Sequence, residues 1–302
     1  MKLISEEARK KLLNAGYRIV GSHSTIKICH WTKEVLNKRR FCYKRWYGIK
    51  SHRCVQMTPS LICNFSCLHC WRFHGIIPFK ELEKWNEPNE IIDGCIKSQR
   101  ELLSGFGGNP NTPREIFEEA MNPKHFAISL DGEPTLYPQL SQLIGEIKKR
   151  NMTAFLVTNG SMPERLEKLE EEPTNLYISV YGPNKEIFEK VSVPLIPNAW
   201  ERLNKSLELV KSFSCTTVIR LTLIREVNLK DPEEYGKLVL KTEPKFIEVK
   251  SFFHVGEAQK RLPRSAMLEM KDIKEFAEKL SHYTSYEIKE EDEASRVILL
   301  SR

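Results

Sequence analysis

The chain has 302 residues, with 47 Lys and Arg against 40 Asp and Glu, a net charge of +7 and 40% hydrophobic residues. This composition excludes a disordered tail and a collagen-like rod, and no apolar run reaches the roughly 18 residues that a membrane span needs. The opening MKLISEEARKKLLNAGY mixes acids and bases at helical spacing and has no apolar signal region. The chain is therefore expected in the cytoplasm, away from membranes, where cysteines stay reduced unless a metal takes them.

In chain order, residues 5–16 predict an amphipathic helix with Leu12 and Leu13 on its apolar side. An irregular, basic, aromatic segment follows to about residue 52. Then an alternation begins. Strands are predicted at 53–60, 125–130, 153–158, 175–180, 216–224 and 245–251. Helices are predicted at 90–106, 140–150, 199–213, 233–241 and 270–280, with a short one after the third strand. Such alternation implies a parallel sheet with helices outside. Six β/α units are too few to close an eight-stranded barrel. The expected fold is α/β, an open, partial (β/α)6 barrel with its functional groups at the C-terminal strand ends. Residues 1–52 read as an N-terminal extension, 53–280 as the barrel and 281–302 as a tail. In the tail, EIKEEDE (287–293) reads as a solvated acidic face.

Eight cysteines are present, and six of them lie between positions 29 and 70. Cys63-Asn-Phe-Ser-Cys67-Leu-His-Cys70 follows the first barrel strand directly. Three thiolates on one short loop can hold three corners of an iron–sulfur cube and leave the fourth iron open. The alternative is zinc on Cys67 and Cys70 with His69 or His74; the three-residue gap and the barrel that follows both weigh against a zinc ribbon. Cys29, Cys42 and Cys54 are separated by 12 and 11 residues; singly, each also reads as a small buried hydrophobe. Cys95 and Cys215 read as core residues on apolar faces. Residues 38–53, KRRFCYKRWYGIKSHR, hold seven Lys and Arg and no acid, and leave the rest of the chain balanced at 40 of each sign. Interleaved with Phe41, Tyr43, Trp46 and Tyr47, these cations suit a single-stranded RNA surface, the alternative being a solvated loop. Arg39, Arg40, Arg45 and Trp46 are the candidate contacts, with Lys260 and Arg261 as a second basic stretch.

The cysteine loop, placed after the first strand of a partial β/α barrel, resembles the radical S-adenosylmethionine (SAM) superfamily. Asp131-Gly132-Glu133-Pro134 ends the second strand and resembles the family's GGEP-type motif, whose backbone pairs with the SAM amino group. Asn159, in Thr158-Asn159-Gly160, resembles the family's ribose and carboxylate contacts. Ser179 faces the pocket by strand alternation, Arg220 and Thr222 suit the SAM carboxylate, and Val255 resembles the adenine-binding edge. CNFSCLHCWRFH, SLDGEPTLYP, RLTLIREVNL and FIEVKSFFHVGEAQKRLP resemble more narrowly the 4-demethylwyosine synthases of the wybutosine pathway, in their short, archaeal-type form. That resemblance runs from about residue 29 to 280.

It implies an enzyme, a lyase, that builds two carbons of pyruvate onto N1-methylguanosine at position 37 of phenylalanine tRNA. Two 4Fe–4S clusters and SAM are the implied cofactors. Cys63, Cys67 and Cys70 would hold the first cluster, and Cys29, Cys42 and Cys54 the auxiliary one. Lys44 resembles the lysine that engages pyruvate as a Schiff base; neighbouring cations, here Arg45, Lys50 and Arg53, depress a lysine's pKa. The other reading of Lys44 is a phosphate or solvent contact. No flavodoxin-like stretch is read, so an external one-electron donor is implied, with the chain expected to act as a monomer. Tyr181-Gly182 stands where the family is expected to have Asp-Ala. Two competing readings are a radical SAM enzyme acting on another RNA or a peptide, and a zinc-bound RNA-binding module. Peptide maturases usually carry auxiliary cysteines after the barrel, whereas here none follows Cys215. Iron with sulfide, against zinc, separates the enzyme readings from the module.

Overall fold

The computed structural model describes residues 4–73, 82 and 84–302 and divides into two compact units. The first comprises Met1–Cys63, Ile76–Val157 and Leu169–Thr174; the second comprises Asn64–Gly75, Thr158–Lys168 and Asn175–Arg302.

The first unit opens with α1 (Glu6–Asn14), capped by Ser5, whose hydroxyl accepts the Ala8 N–H at 3.1 Å. Leu12 is buried but Leu13 is 37% exposed. Adjacent helical residues point about 100° apart, so only one of the two leucines expected inside can face inward. β1 (Tyr17–Val20) and β2 (Ser24–Lys27) then form an antiparallel hairpin, followed by α2 (His30–Leu36) and β3 (Cys54–Thr58). The segment read as irregular thus holds a hairpin and a helix. Its strands have four residues each, too few for alternation to register. β2 pairs antiparallel with β3. After α3 (Pro88–Leu103) and α4 (Arg114–Ala120) come β4 (His125–Ile128), α5 (Leu140–Lys149) and β5 (Thr153–Thr158). β3, β4 and β5 are parallel, with Met57, Ile128 and Leu156 in one row. α3 starts on a capping box between Glu87 and Glu90 and buries Ile91, Ile92, Cys95 and Leu103.

The second unit runs through α6 (Pro163–Glu167), β6 (Asn175–Val180), α7 (Lys185–Ser192) and α8 (Ala199–Leu209). It continues through β7 (Thr216–Leu223), α9 (Pro232–Thr242), β8 (Phe246–Ser251) and α10 (Met270–Tyr283). β6, β7 and β8 are parallel, and every residue of β6 is buried, as a doubly covered parallel strand requires. Cys215 is half-buried just before β7, not on an apolar strand face. The chain closes with β9 (Glu287–Asp292) and β10 (Val297–Ser301); β10 pairs antiparallel with β8, and β9 with β10. The acidic tail is therefore a strand. Its charges stay in water because β9 pairs through β10 alone and most of its side chains are exposed. Among the described residues, no helix is long and apolar enough to cross a membrane.

Candidate active site

In the second unit the cysteine loop is splinted from two sides. The end of α7 and the residues after it run alongside the loop. Ser66 N–H donates to Ser192 O at 3.1 Å and Val193 O at 3.0 Å, Leu68 N–H to Val191 O at 2.9 Å, and Leu195 N–H to Asn64 O at 2.9 Å. Val193 takes a left-handed φ of +43°, an unfavourable conformation for a β-branched residue, and its carbonyl is one of those that hold the loop. From the other side Arg261, beyond β8, donates Nε–H to Leu68 O at 3.1 Å and a second N–H to Cys70 O. Asn64 Nδ2 donates to Ser161 Oγ at 2.7 Å, Ser161 N–H to Asn159 Oδ1 at 2.9 Å, and Asn159 Nδ2 to Asn64 Oδ1 at 2.9 Å. Asn159, expected against SAM, is thus part of a closed amide ring that orients the start of the loop.

Cys67 is buried, Cys63 and Cys70 are half-buried, and none of the eight cysteines is joined in a disulfide. Three thiols on so short a loop, with its backbone fixed on both sides, fit three corners of an iron–sulfur cube. Of the residues considered for zinc, His69 packs its ring on Tyr181 at 4.6 Å, and His74 lies outside the described residues. Among the described residues, no three Cys, His, Asp or Glu side chains are grouped as ligands of a single ion.

The turn after β4 lies in the first unit. Gly132 has a φ of +62°, and a Cβ there would sit 2.1 Å from Ser60 O, so only glycine permits this approach. Glu133 N–H donates to Ile62 O at 2.8 Å, the Glu133 carboxylate accepts from Thr135 N–H at 3.0 Å, and Asp131 Oδ1 accepts the Gly132 N–H at 2.8 Å. Pro134 is buried. These hydrogen bonds turn Asp131 and Glu133 toward the turn's own amides.

Across β6, β7 and β8, Ser179, Arg220 and Glu248 share one row. Arg220 donates to Glu248 at 2.8 Å and lies 4.7 Å from the Tyr177 ring centroid. Glu248 is fully buried. It was not among the residues expected at the site; a lone acid on an inward-facing position of KFIEVKS was the signal. Removing one partner of a buried ion pair strands the other. Glu248→Ala should therefore cost about 3–5 kcal/mol of stability, read as a lower urea midpoint, with a smaller loss for Glu248→Gln. Thr222, two residues along β7, is also buried. Val255 is 44% exposed beside Gly256, where a Cβ would lie 2.4 Å from Trp71 O. At Gly182 a Cβ would meet Phe188 N at 2.3 Å. The departure from Asp-Ala at 181–182 therefore matches the close approach of α7, and Tyr181 supplies the ring that faces His69.

In the first unit Cys29, Cys42 and Lys44 act electrostatically on the Cys54 thiol. Burial pushes the Cys54 thiol well above the ordinary range, the charges of Cys29 and Cys42 add to this, and the Lys44 ammonium opposes it. Lys44 N–H donates to Cys42 Sγ at 3.5 Å, and Lys44 Nζ lies 5.6 Å from the Phe155 ring centroid. Three cysteines and one lysine, spread over 26 residues of sequence, thus share one electrostatic neighbourhood.

The cations expected around Lys44 divide. Lys50 Nζ donates to both Glu119 oxygens at 3.2 Å, and Arg53 Nε–H to Asn122 O at 2.9 Å. With burial as the main cause, these charges help hold His125 down to about 4. Lys38, Arg39, Arg40, Phe41 and Arg45 are exposed, with Arg39 3.2 Å from Glu34. Trp46 is half-buried, its ring 5.4 Å from that of Tyr43, and its buried indole N–H has no hydrogen-bond partner among the described residues. Lys260 is exposed and pairs with Glu257 at 2.9 Å.

Known proteins match nearly the whole length of this chain. The model of the radical SAM superfamily matches residues 57–239, and that of wyosine base formation matches residues 241–302. The S-adenosyl-L-methionine-dependent tRNA 4-demethylwyosine synthase of Pyrococcus abyssi is 46% identical, over 98% of this chain and 89% of its own length. A solved structure of TYW1 with a lysine–pyruvate adduct bound superposes with a TM-score of 0.90 at 35% identity, over 99% of this chain and 96% of that one. A crystal structure of archaeal TYW1 gives 0.82 at 34% identity, with the same coverages. The fold is accordingly the radical SAM α/β fold with a mixed sheet.

Proposed function

The chain belongs to the S-adenosyl-L-methionine-dependent tRNA 4-demethylwyosine synthase family of radical SAM enzymes, and from that membership we propose that it condenses pyruvate carbons onto N1-methylguanosine 37 of phenylalanine tRNA. The observation that carries this reading is the Lys44 N–H bonded to Cys42 Sγ, with Cys29, Cys42 and Lys44 all acting electrostatically on Cys54 in the first unit. A radical SAM enzyme needs only the one cysteine loop to cleave SAM. A second trio of thiols beside an amine suits the binding and orientation of a small α-keto acid.

When bound, a three-cysteine 4Fe–4S cluster with SAM would supply the one-electron chemistry by which a hydrogen atom is removed from the methyl group of the base. Cys63, Cys67 and Cys70 would hold that cluster, and Cys29, Cys42 and Cys54 an auxiliary one. In the second unit Ser179, Arg220 and Thr222 would receive polar groups of SAM and Val255 would border its adenine. In the first unit the Asp131–Pro134 turn is the segment that resembles the family's amino-group contact. Arg220 is already aimed by Glu248, so SAM meets a guanidinium that does not have to reorganise. Lys44 offers its amine to the pyruvate carbonyl; the lysine–pyruvate adduct in the solved relative supports this role. We further propose that the chain works as a monomeric cytoplasmic lyase and takes its electron from an external donor.

The test is anaerobic reconstitution followed by incubation with SAM, a reductant, pyruvate and phenylalanine tRNA carrying N1-methylguanosine. The tricyclic base and 5′-deoxyadenosine should both appear, the base only when pyruvate is present. Deoxyadenosine without the base would point to a different substrate.

The tRNA is read as gripped through residues 38–53. About four exposed cations on phosphates give a slope of log K against log salt of roughly −3. Replacing Arg39, Arg40 and Arg45 together should weaken binding and flatten the slope by roughly 2. Trp46→Ala should cost about 1–3 kcal/mol if a base stacks there, with the slope unchanged. An anisotropy titration at several salt concentrations measures both. A triple variant with unaltered affinity and slope would make this run a solvated loop.

A further inference from the structure

We infer that Arg261 is a positioning residue for the cluster-binding loop and a determinant of that cluster's redox properties, not a contact for RNA phosphate. The inference rests on the reading of Cys63, Cys67 and Cys70 as cluster ligands. Arg261 and Lys260 are adjacent in the basic stretch beyond β8, but they face different surroundings. Lys260 is exposed and pairs with Glu257. Arg261 is half-buried and turns its guanidinium onto the carbonyls of Leu68 and Cys70, more than 190 residues earlier in the chain.

Those two carbonyls flank His69. One rigid fork that holds both fixes the Leu68–His69 and Cys70–Trp71 peptide planes, and the second of these sets the backbone from which the Cys70 side chain leaves. Leu68 N–H is held by Val191 O at 2.9 Å, so the residue is pinned at both its backbone donor and its backbone acceptor. Lysine could carry the charge but not span two acceptors in fixed geometry. The second consequence is electrostatic. Reduction adds a negative charge to the cluster, and a permanent cation hydrogen-bonded to the backbone of a ligating cysteine favours the reduced form. The same guanidinium thus sets the loop's shape and makes the cluster easier to reduce.

The test uses the reconstituted full chain and two variants. In Arg261→Gln, amide hydrogen exchange at Leu68 and Cys70 should accelerate at least tenfold. The midpoint potential of the SAM-binding cluster, followed by its reduced-state electron paramagnetic resonance signal, should move to lower values. Affinity for the methylguanosine-bearing tRNA and its salt slope should stay as in the wild type. In Arg261→Lys the charge remains but the fork is lost, so exchange should rise while the potential stays near wild type. Unchanged exchange and potential in Arg261→Gln would overturn the inference, as would weaker tRNA binding with a flatter salt slope. If Arg261→Gln does not fold, Arg261→Lys decides alone, and wild-type exchange at Cys70 in that variant refutes the clamp. Product formation by the wild type is scored separately. Failure to make the tricyclic base, together with altered exchange and potential in the variants, would refute the substrate and leave the clamp standing.

Discussion

Cys42→Ala is expected to keep cleaving SAM and to stop making the modified base, whereas Cys63→Ala should stop both. The two thiols belong to different trios. Cys63 opens the loop whose backbone is fixed by α7 and by Arg261, and its loss leaves two thiols for a cube that needs three. Cys42 shares its surroundings with Cys29, Cys54 and Lys44, and its loss leaves the first loop untouched. The measurements are 5′-deoxyadenosine release, tricyclic base in digested tRNA, and iron per chain. Two cubes give about eight irons in the wild type and about four in either variant. A wild type that saturates at about four irons has no auxiliary cluster. The trio would then be three buried thiols packed as small hydrophobes.

Lys44→Arg is expected to retain tRNA affinity and SAM cleavage and to bring base formation below detection. Arginine keeps the positive charge beside Cys54 and the aromatic ring of Phe155, but its guanidinium does not form an imine with a keto acid under these conditions. A phosphate contact would survive the exchange, and a covalent role would not. Borohydride reduction with pyruvate should add a fixed mass to the Lys44 peptide of the wild type and nothing to that of the variant. The amine is held where the trio is, because Lys44 N–H bonds to Cys42 Sγ. An active Lys44→Arg enzyme would end the covalent reading and leave Lys44 as a charge in a basic segment.

The separation between what the residues announced and what folding decided follows the range of the interactions involved. The parallel strands were legible because most of them are rich in Val, Ile, Leu and Phe between turn residues, as burial on both faces favours. The cysteine loop was legible because its three cysteines lie within eight residues, and the Asp131–Pro134 turn because its sequence resembles a family motif. The hairpin of β1 and β2 was not, since four-residue strands show no period, and β9 was not, since an edge strand in water carries charges that read as a tail. The trio of Cys29, Cys42 and Cys54 could be counted in the sequence, but its shared electrostatic neighbourhood could not. That depends on α2 and the turn at Ser51, whose hydroxyl accepts the Cys42 N–H and whose carbonyl accepts from Thr32.

Arg261 shows the limit most plainly. In sequence it stands beside Lys260 as one of two equivalent cations. The tertiary structure sends one to solvent and the other to Leu68 and Cys70. Composition and period report what a residue can do within its own turn or strand. Which of two neighbouring charges finds a partner nearly two hundred residues away depends on where the backbone brings unsatisfied carbonyls, and those positions exist only once the strands have packed.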